Sequence, residues 1–125
     1  MENCYCKSGK PFKNCCEPFL NKTAFPETPE QLMRSRYSAY VLHDADYLVA
    51  TTHISEQKYY SKAEILKWSK SNTWLRLEVI EAHENIVEFK AYYLDEKQQD
   101  QVHHEKSTFK QKDKVWYYLD GQFFG

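Results

Sequence analysis

The sequence predicts an α+β domain: helices packed on an antiparallel sheet, with a short cysteine-bearing segment in front. Three observations carry this. All four cysteines of the 125-residue chain, Cys4, Cys6, Cys15 and Cys16, lie at its start. The middle of the chain has apolar residues at helical spacing, introduced by capping signatures at Thr28 and Ser61. Beyond Ser71 the apolar period shortens to two, in runs separated by turn residues. Helices first and strands after is the pattern of a sheet covered on one face.

Taken in order, Ser8-Gly9-Lys10-Pro11 separates the cysteine pairs with turn chemistry: Gly9 supplies a positive φ and Pro11 fixes the exit. Residues 22–29, with two prolines and no periodicity, read as a linker between a segment at 1–21 and a domain at 30–125. Thr28 is the expected N-cap of the first long helix, with Pro29 at its first position and Gln31 at the capping-box position. Met33, Tyr37, Tyr40 and Val41 mark its buried face, and a second short helix restarts at Asp44. Ser61 with Glu64 opens another helix, carrying Ile65, Leu66 and Trp68 on one side. Four strands follow. Leu75, Leu77 and Val79 alternate in the first; Val87, Phe89, Ala91 and Tyr93 in the second. His103, Glu105, Ser107 and Phe109 share one face of the third, and Val115–Leu119 forms the fourth, stopped by Asp120-Gly121.

Composition limits the function. Seventeen basic against eighteen acidic residues, net charge -1, disfavour general DNA binding, which rests on a basic surface. No apolar run approaches the roughly 18 residues of a membrane span, and Met1-Glu2-Asn3 lacks the features of a signal peptide. A cytoplasmic location is the expectation, where thiols stay reduced and free to bind metal.

The cysteines admit several chemistries. Disulfides need an oxidising compartment, and pairing within Cys4/Cys6 or Cys15/Cys16 closes strained rings. Burial of all four as small apolar groups is disfavoured by the neighbouring Lys7, Lys10, Lys13 and Asn14. The Cys-x-x-Cys spacing of redox sites is absent. Zinc suits four soft thiolates at tight spacing. The three lysines then offset the double negative charge of such a centre, with Tyr5, Phe12 and Phe19 as apolar cover. Metal binding would stabilise this segment by an amount on the order of 10 kcal/mol, so chelation is expected to melt residues 1–20 and leave the remainder folded.

Residues 4–16, CYCKSGKPFKNCC, resemble the SEC-C motif named for the zinc segment of the preprotein translocase ATPase. Cys4, Cys6, Ser8, Gly9, Cys15 and Cys16 match its pattern, while Tyr5 and Lys7 stand where Pro and Gly are usual. Leu32 to His53, Glu105 to Lys110 and Val115 to Gly121 resemble the YchJ-like family, whose members join a SEC-C segment to a nuclear-transport-factor-two-like, or SnoaL-like, domain. This resemblance implies a curved, cystatin-like cone of sheet around helices, with a pocket where the cone opens. It also implies zinc on Cys4, Cys6, Cys15 and Cys16, and a departure at Thr52-His53-Ile54, where relatives often carry Trp-His-Pro. Cones of this class often pair, so a homodimer is expected.

Catalytic candidates in such a pocket are His103 and Glu105, two apart on one strand face, with Asp46 and His53 as weaker ones. Each has a bland alternative: a solvated strand face for the pair, helix capping for Asp44 and Asp46, a helix-terminal hydrogen bond for His53. Arg34 and Arg36, with Tyr37, are expected to pair with Glu105 or Asp46. Trp68, Trp74, Trp116 and Tyr118 either line a cavity or fill a core. Two functions follow. One is a zinc-binding adaptor whose Lys7, Lys10, Phe12 and Lys13 contact a protein or ribonucleoprotein partner, as the similar translocase segment docks an export chaperone. The other is a small isomerase- or hydrolase-like enzyme with its site in the cone and a structural zinc. A catalytic zinc is disfavoured, because four thiolates leave no open coordination position.

Overall fold

Helices and sheet occupy separate parts of the chain, as predicted. The structure is a computed structural model that describes residues 3–124; Met1 and Glu2, on which the leader reading partly rested, lie outside the described residues. Its helices are α1 (Glu17–Leu20), α2 (Pro29–Leu42), α3 (Ala45–Ala50) and α4 (Lys62–Ser71). Its strands are β1 (Thr73–His83), β2 (Ile86–Leu94), β3 (Asp100–Lys112) and β4 (Val115–Phe124). The strands form one antiparallel meander in the order β1-β2-β3-β4. Among the described residues no helix is long and apolar enough to cross a membrane.

Local chemistry sets the helix starts. Thr28 Oγ1 accepts from the Gln31 N–H at 3.1 Å, and Ser61 Oγ from the Glu64 N–H at 3.3 Å. Gln31 does not close the reciprocal box: its side chain accepts from the Glu27 N–H instead, at 2.7 Å, tying down the preceding linker. Asp44 caps α3 through the Tyr47 N–H, and His43, left-handed at φ 61, ends α2.

Helix α2 lies at the centre. Met33 and Tyr37 face the sheet, while Ser35 meets Tyr47 of α3 and Ser38 meets Cys4. Its burial on several sides is why α2 tolerates serines in its interior: Ser35 Oγ bonds the Leu32 carbonyl and the Tyr47 hydroxyl. One core cluster joins Leu32, Met33 and Tyr37 to Leu77, Val87, Phe109 and Tyr118 of the sheet, and also to Cys4, Cys6 and Cys16. As the lysine-rich composition of the N-terminal segment suggests, not all four cysteines are buried, and Cys15 is only half-buried. The other three are fully buried, because Lys7, Lys10 and Lys13 all point outward from the turn.

Two strand expectations are corrected. Leu75 is exposed and Trp74 faces inward, because a bulge between Trp74 and Arg76 shifts the register by one residue. Asp120-Gly121 does not stop β4; the strand runs on to Phe124, with Gly121 paired to Ser107 and Phe123 to Glu105. The β3–β4 turn is the two-residue Asp113-Lys114, both at positive φ, a geometry that matches strand twist.

The turn between the cysteine pairs uses the left-handed region twice, at Gly9 (φ 90) and at Lys7 (φ 63). A left-handed Lys costs about 1 kcal/mol or more, which explains the preference for Gly there. Lys7→Gly is therefore expected to be neutral or to stabilise by up to about 1 kcal/mol, whereas Gly9→Ala should destabilise by about 1–2 kcal/mol. Urea unfolding of the two variants measures both.

Candidate metal centre and recess beneath the sheet

The cysteine cluster is assembled by the turn and held from outside by α2. The Cys4 N–H donates to the Lys10 carbonyl (2.9 Å) and the Lys7 N–H to the Cys4 carbonyl (3.1 Å), folding the first pair back on the second. Arg34 Nη1 donates to the Cys6 carbonyl at 2.9 Å while its Nε pairs with Glu30, and Ser38 Oγ lies 3.7 Å from Cys4 Sγ. Ser8 Oγ sits 3.1 Å from Cys15 Sγ and accepts from the Lys10 N–H, an outer partner that orients the sulfur.

All four Sγ atoms lie within 4.8 Å of one another. Zinc–sulfur bonds of about 2.3 Å in a tetrahedron put sulfurs about 3.8 Å apart. Cys6 and Cys15 are separated by 3.6 Å and Cys15 and Cys16 by 3.9 Å. The protons of this set are unevenly shared. Hydrogen bonding with the Cys16 and Cys6 thiols pulls Cys4 far down, the Cys4 and Cys6 contacts push Cys16 far up, and burial lifts Cys15 to about 11. Four such sulfurs ionise together only around a cation, so the donor set fits a divalent metal bound by four thiolates.

The second feature is a recess of about 190 Å³ between α2, α4 and the inner face of the sheet. Arg36, Tyr37, Tyr40, Trp68, Trp74, Phe89, His103, Glu105 and Tyr118 are among its lining residues. Its polar centre is Glu105, 5% exposed. Oε1 meets His103 Nε2 at 2.8 Å; Oε2 accepts from the Ser107 and Tyr118 hydroxyls, each at 2.7 Å. Burial pushes the Glu105 carboxyl up, but the hydrogen bonds from His103, Tyr118 and Ser107 outweigh it and hold the group below the usual carboxylate value. Burial and the adjacent Glu105 charge push the Tyr118 phenol up, so it remains a donor. Arg36 lies over the Tyr118 ring, 4.6 Å from its centroid.

The family profile described as "YchJ, middle NTF2-like domain" matches residues 28–121. The chain belongs to the YchJ family. A UPF0225 protein of Photorhabdus laumondii is 45% identical over 127 residues, covering 96% of this chain and 80% of its own length. A UPF0225 protein of Haemophilus influenzae is 41% identical over 125 residues, covering 96% and 77%. The solution structure of a SEC-C motif containing protein from Rhodopseudomonas palustris superposes with a TM-score of 0.92 at 36% identity, over 99% of this chain and 100% of that one. The crystal structure of a SEC-C motif containing protein from Psychrobacter arcticus gives 0.83 at 31% identity, over 100% and 84%.

In this YchJ-family chain the candidate residues part company. His103 and Glu105 come together in the recess, and the solvated-strand alternative fails: Glu105, Ser107 and Phe109 are buried on that face, with Phe109 in the core cluster that holds Met33 and Tyr37 of α2. Asp46 is on the surface, paired with Lys62 at 2.8 Å. His53 lies outside the recess lining; its ring Nδ1 accepts from the Ser55 backbone N–H, and its backbone N–H donates to the Tyr118 carbonyl beside the Thr52–Tyr118 bridge. Trp116 is turned away into another groove, donating to the Glu27 carbonyl. Neither arginine pairs directly with Glu105 or Asp46. Arg34 binds Glu30 and the Cys6 carbonyl, and Arg36 binds the Leu48 carbonyl and Thr51.

Sequence reasoning missed the position of Arg36 in the recess, the Ser107 and Tyr118 donors, and Gly121. A Cβ on Gly121 would lie 2.6 Å from Glu105 Cδ, so this glycine leaves the space the carboxylate fills. Ser107 carried a signal, being two residues from Glu105 on the same face; Gly121 carried none, since its partner is across the sheet.

Gly121→Ala is expected to displace Glu105 and destabilise the chain by about 1–3 kcal/mol, the cost of disturbing a buried charged hydrogen-bond network. The carboxyl is lowered in the folded state, so its stabilising share is fully present above the unfolded value and lost as pH falls through the lowered folded value. Glu105→Gln should therefore be less stable than the wild type at neutral pH. The difference should shrink on acidification below the unfolded carboxyl value, as read by denaturant titrations at stepped pH.

Proposed function

We propose that the chain is a zinc-stapled ligand-binding domain. The zinc, held by Cys4, Cys6, Cys15 and Cys16, is structural, and the working surface is the recess beneath the sheet. The observation that carries this reading is the Glu105–His103 pair. A carboxylate kept ionised, buried and fully hydrogen-bonded in an aromatic recess is the arrangement expected of a binding or acid–base site. With all four sulfurs engaged, the metal has no open position for a substrate, which leaves chemistry to the recess.

The shared core also changes what metal removal should do. Zinc contributes an amount on the order of 10 kcal/mol, comparable with the whole stability of an ordinary domain. The cysteines pack with Leu32, Met33 and Tyr37. Chelation is therefore expected to lower the melting temperature of the entire chain rather than free residues 1–20 alone. Thermal unfolding with and without chelator, alongside elemental analysis showing about one zinc per chain, checks it. A metal-free protein of unchanged stability would end the zinc reading.

The ligand reading is tested with benzyl alcohol, a neutral monocyclic probe. Titration should shift the indole N–H resonances of Trp68 and Trp74, which line the recess, and leave Trp116, which does not. Ala91→Leu, which fills the recess, should abolish the response. No saturable shift in the wild type would remove the reading.

A second reading is favoured by the outer face of the turn. Lys7, Lys10 and Lys13 are exposed and pair with no carboxylate among the described residues, and Tyr5 packs edge-on to Phe12 beside them. This face suits an acidic protein or ribonucleoprotein partner. A zinc-loaded Lys7→Glu, Lys10→Glu, Lys13→Glu variant should lose such a partner in affinity capture; an unchanged set of captured partners would sink the docking role.

A further inference from the structure

The recess has a size, a wall chemistry and a charge that together narrow its ligand, on the reading that a small molecule binds there. About 150 Å³ of apolar cavity holds a benzene molecule; the recess measures about 190 Å³, room for one ring and a small substituent. Its walls are flat. Trp74 stands 5.2 Å from Trp68, 5.5 Å from Tyr40 and 6.2 Å from Tyr37, ring centre to ring centre. Such faces favour a planar guest.

Charge then fixes one end. Arg36 pairs with no carboxylate among the described residues, although Glu105 lines the same recess. Glu105 is already committed to His103, Ser107 and Tyr118. Arg36 Nη1 is anchored by the Leu48 carbonyl at 2.8 Å and Thr51 Oγ1 at 2.7 Å, and the guanidinium is braced against the Tyr118 ring. Its Nε and Nη2 hydrogens have no acceptor among the described residues. A pre-oriented guanidinium with free donors is matched by a carboxylate, which takes two parallel hydrogen bonds. A cationic guest would meet like charge at Arg36 and find Glu105, the one recess carboxylate among the described residues, engaged.

His103 marks a second polar point. Its Nε2 donates to the Glu105 carboxylate, which in the neutral tautomer leaves Nδ1 as an acceptor, and no group among the described residues reaches Nδ1. Phe89 and Phe123, 6.0 Å and 5.4 Å away, hold the ring in place. Glu105 is thus a positioning residue, and His103 is the group that meets a ligand hydroxyl or N–H.

We infer that the recess binds a small planar carboxylic acid, its ring against the wall of tyrosine and tryptophan side chains and its carboxylate on Arg36.

The test compares benzoate, benzyl alcohol and benzylamine on the zinc-loaded full chain, followed through the Trp68 and Trp74 indole resonances with Trp116 as internal control. Benzoate should bind at least about 10-fold more tightly than benzyl alcohol, with benzylamine weakest, the difference expected of one charge-assisted pair. Arg36→Gln should erase the benzoate preference and keep the affinity for benzyl alcohol. Because Arg36 also anchors α3, Arg36→Lys serves as a second variant that keeps the charge without the fork, and should retain only part of the preference. Equal binding of the three probes to the wild type, or a benzoate preference that survives in folded Arg36→Gln, overturns the inference while leaving the recess a ligand site. Failure of every probe to bind overturns both.

Discussion

Helix α2 has to satisfy two neighbours at once, the cysteine cluster on one side and the sheet on the other. Met33 and Tyr37 complete the core with Phe109 and Tyr118, while Arg34 and Ser38 reach back to Cys6 and Cys4. A helix buried this way cannot shift without opening both sides, so the position of Arg36 in the recess is linked to the packing of the cysteines. This linkage turns a cysteine segment of a few residues into part of the domain core. It gives the zinc, as proposed, a role in holding the recess in shape rather than in taking part in chemistry.

The recess itself depends on a buried charge being fully compensated. Glu105 occupies a place where an ionised carboxylate would be costly, and three donors from β3 and β4 meet that cost. Ser107 and His103 come from its own strand, whereas Tyr118 comes from the neighbouring strand, and Gly121 yields the space. The register shift at Thr108/Phe109 sits between the pairings of Ser107 with Gly121 and of Phe109 with Tyr118, which brings both β4 residues onto the face of Glu105. The bulge at Leu75 acts similarly on β1, turning Trp74 inward to close the aromatic wall.

Much of this was legible in the residues. The caps at Thr28, Asp44 and Ser61 rest on contacts three residues apart, so local sequence suffices to find them. The shared face of His103, Glu105, Ser107 and Phe109 follows from the strand period alone. Period does not say what covers a face, and the charged neighbours Lys106 and Lys110 made solvent the natural expectation for it. The same limit applied to the cysteines: the nearby lysines argued against burying all four, and Cys15 is half-buried, but only the structure shows the other three inside the core with the lysines on the outside.

The sequence by itself determined the four-cysteine set, the helix-then-strand order and the family, because each depends on spacing along the chain. Only the tertiary structure decided that the cysteines belong to the main core, that β4 passes Gly121, and that Arg36 and Glu105 share one recess without pairing. Those outcomes depend on residues far apart in sequence competing for the same space and the same hydrogen-bond partners. No local pattern records that competition, since its terms exist only once α2 and the four strands have closed on one another.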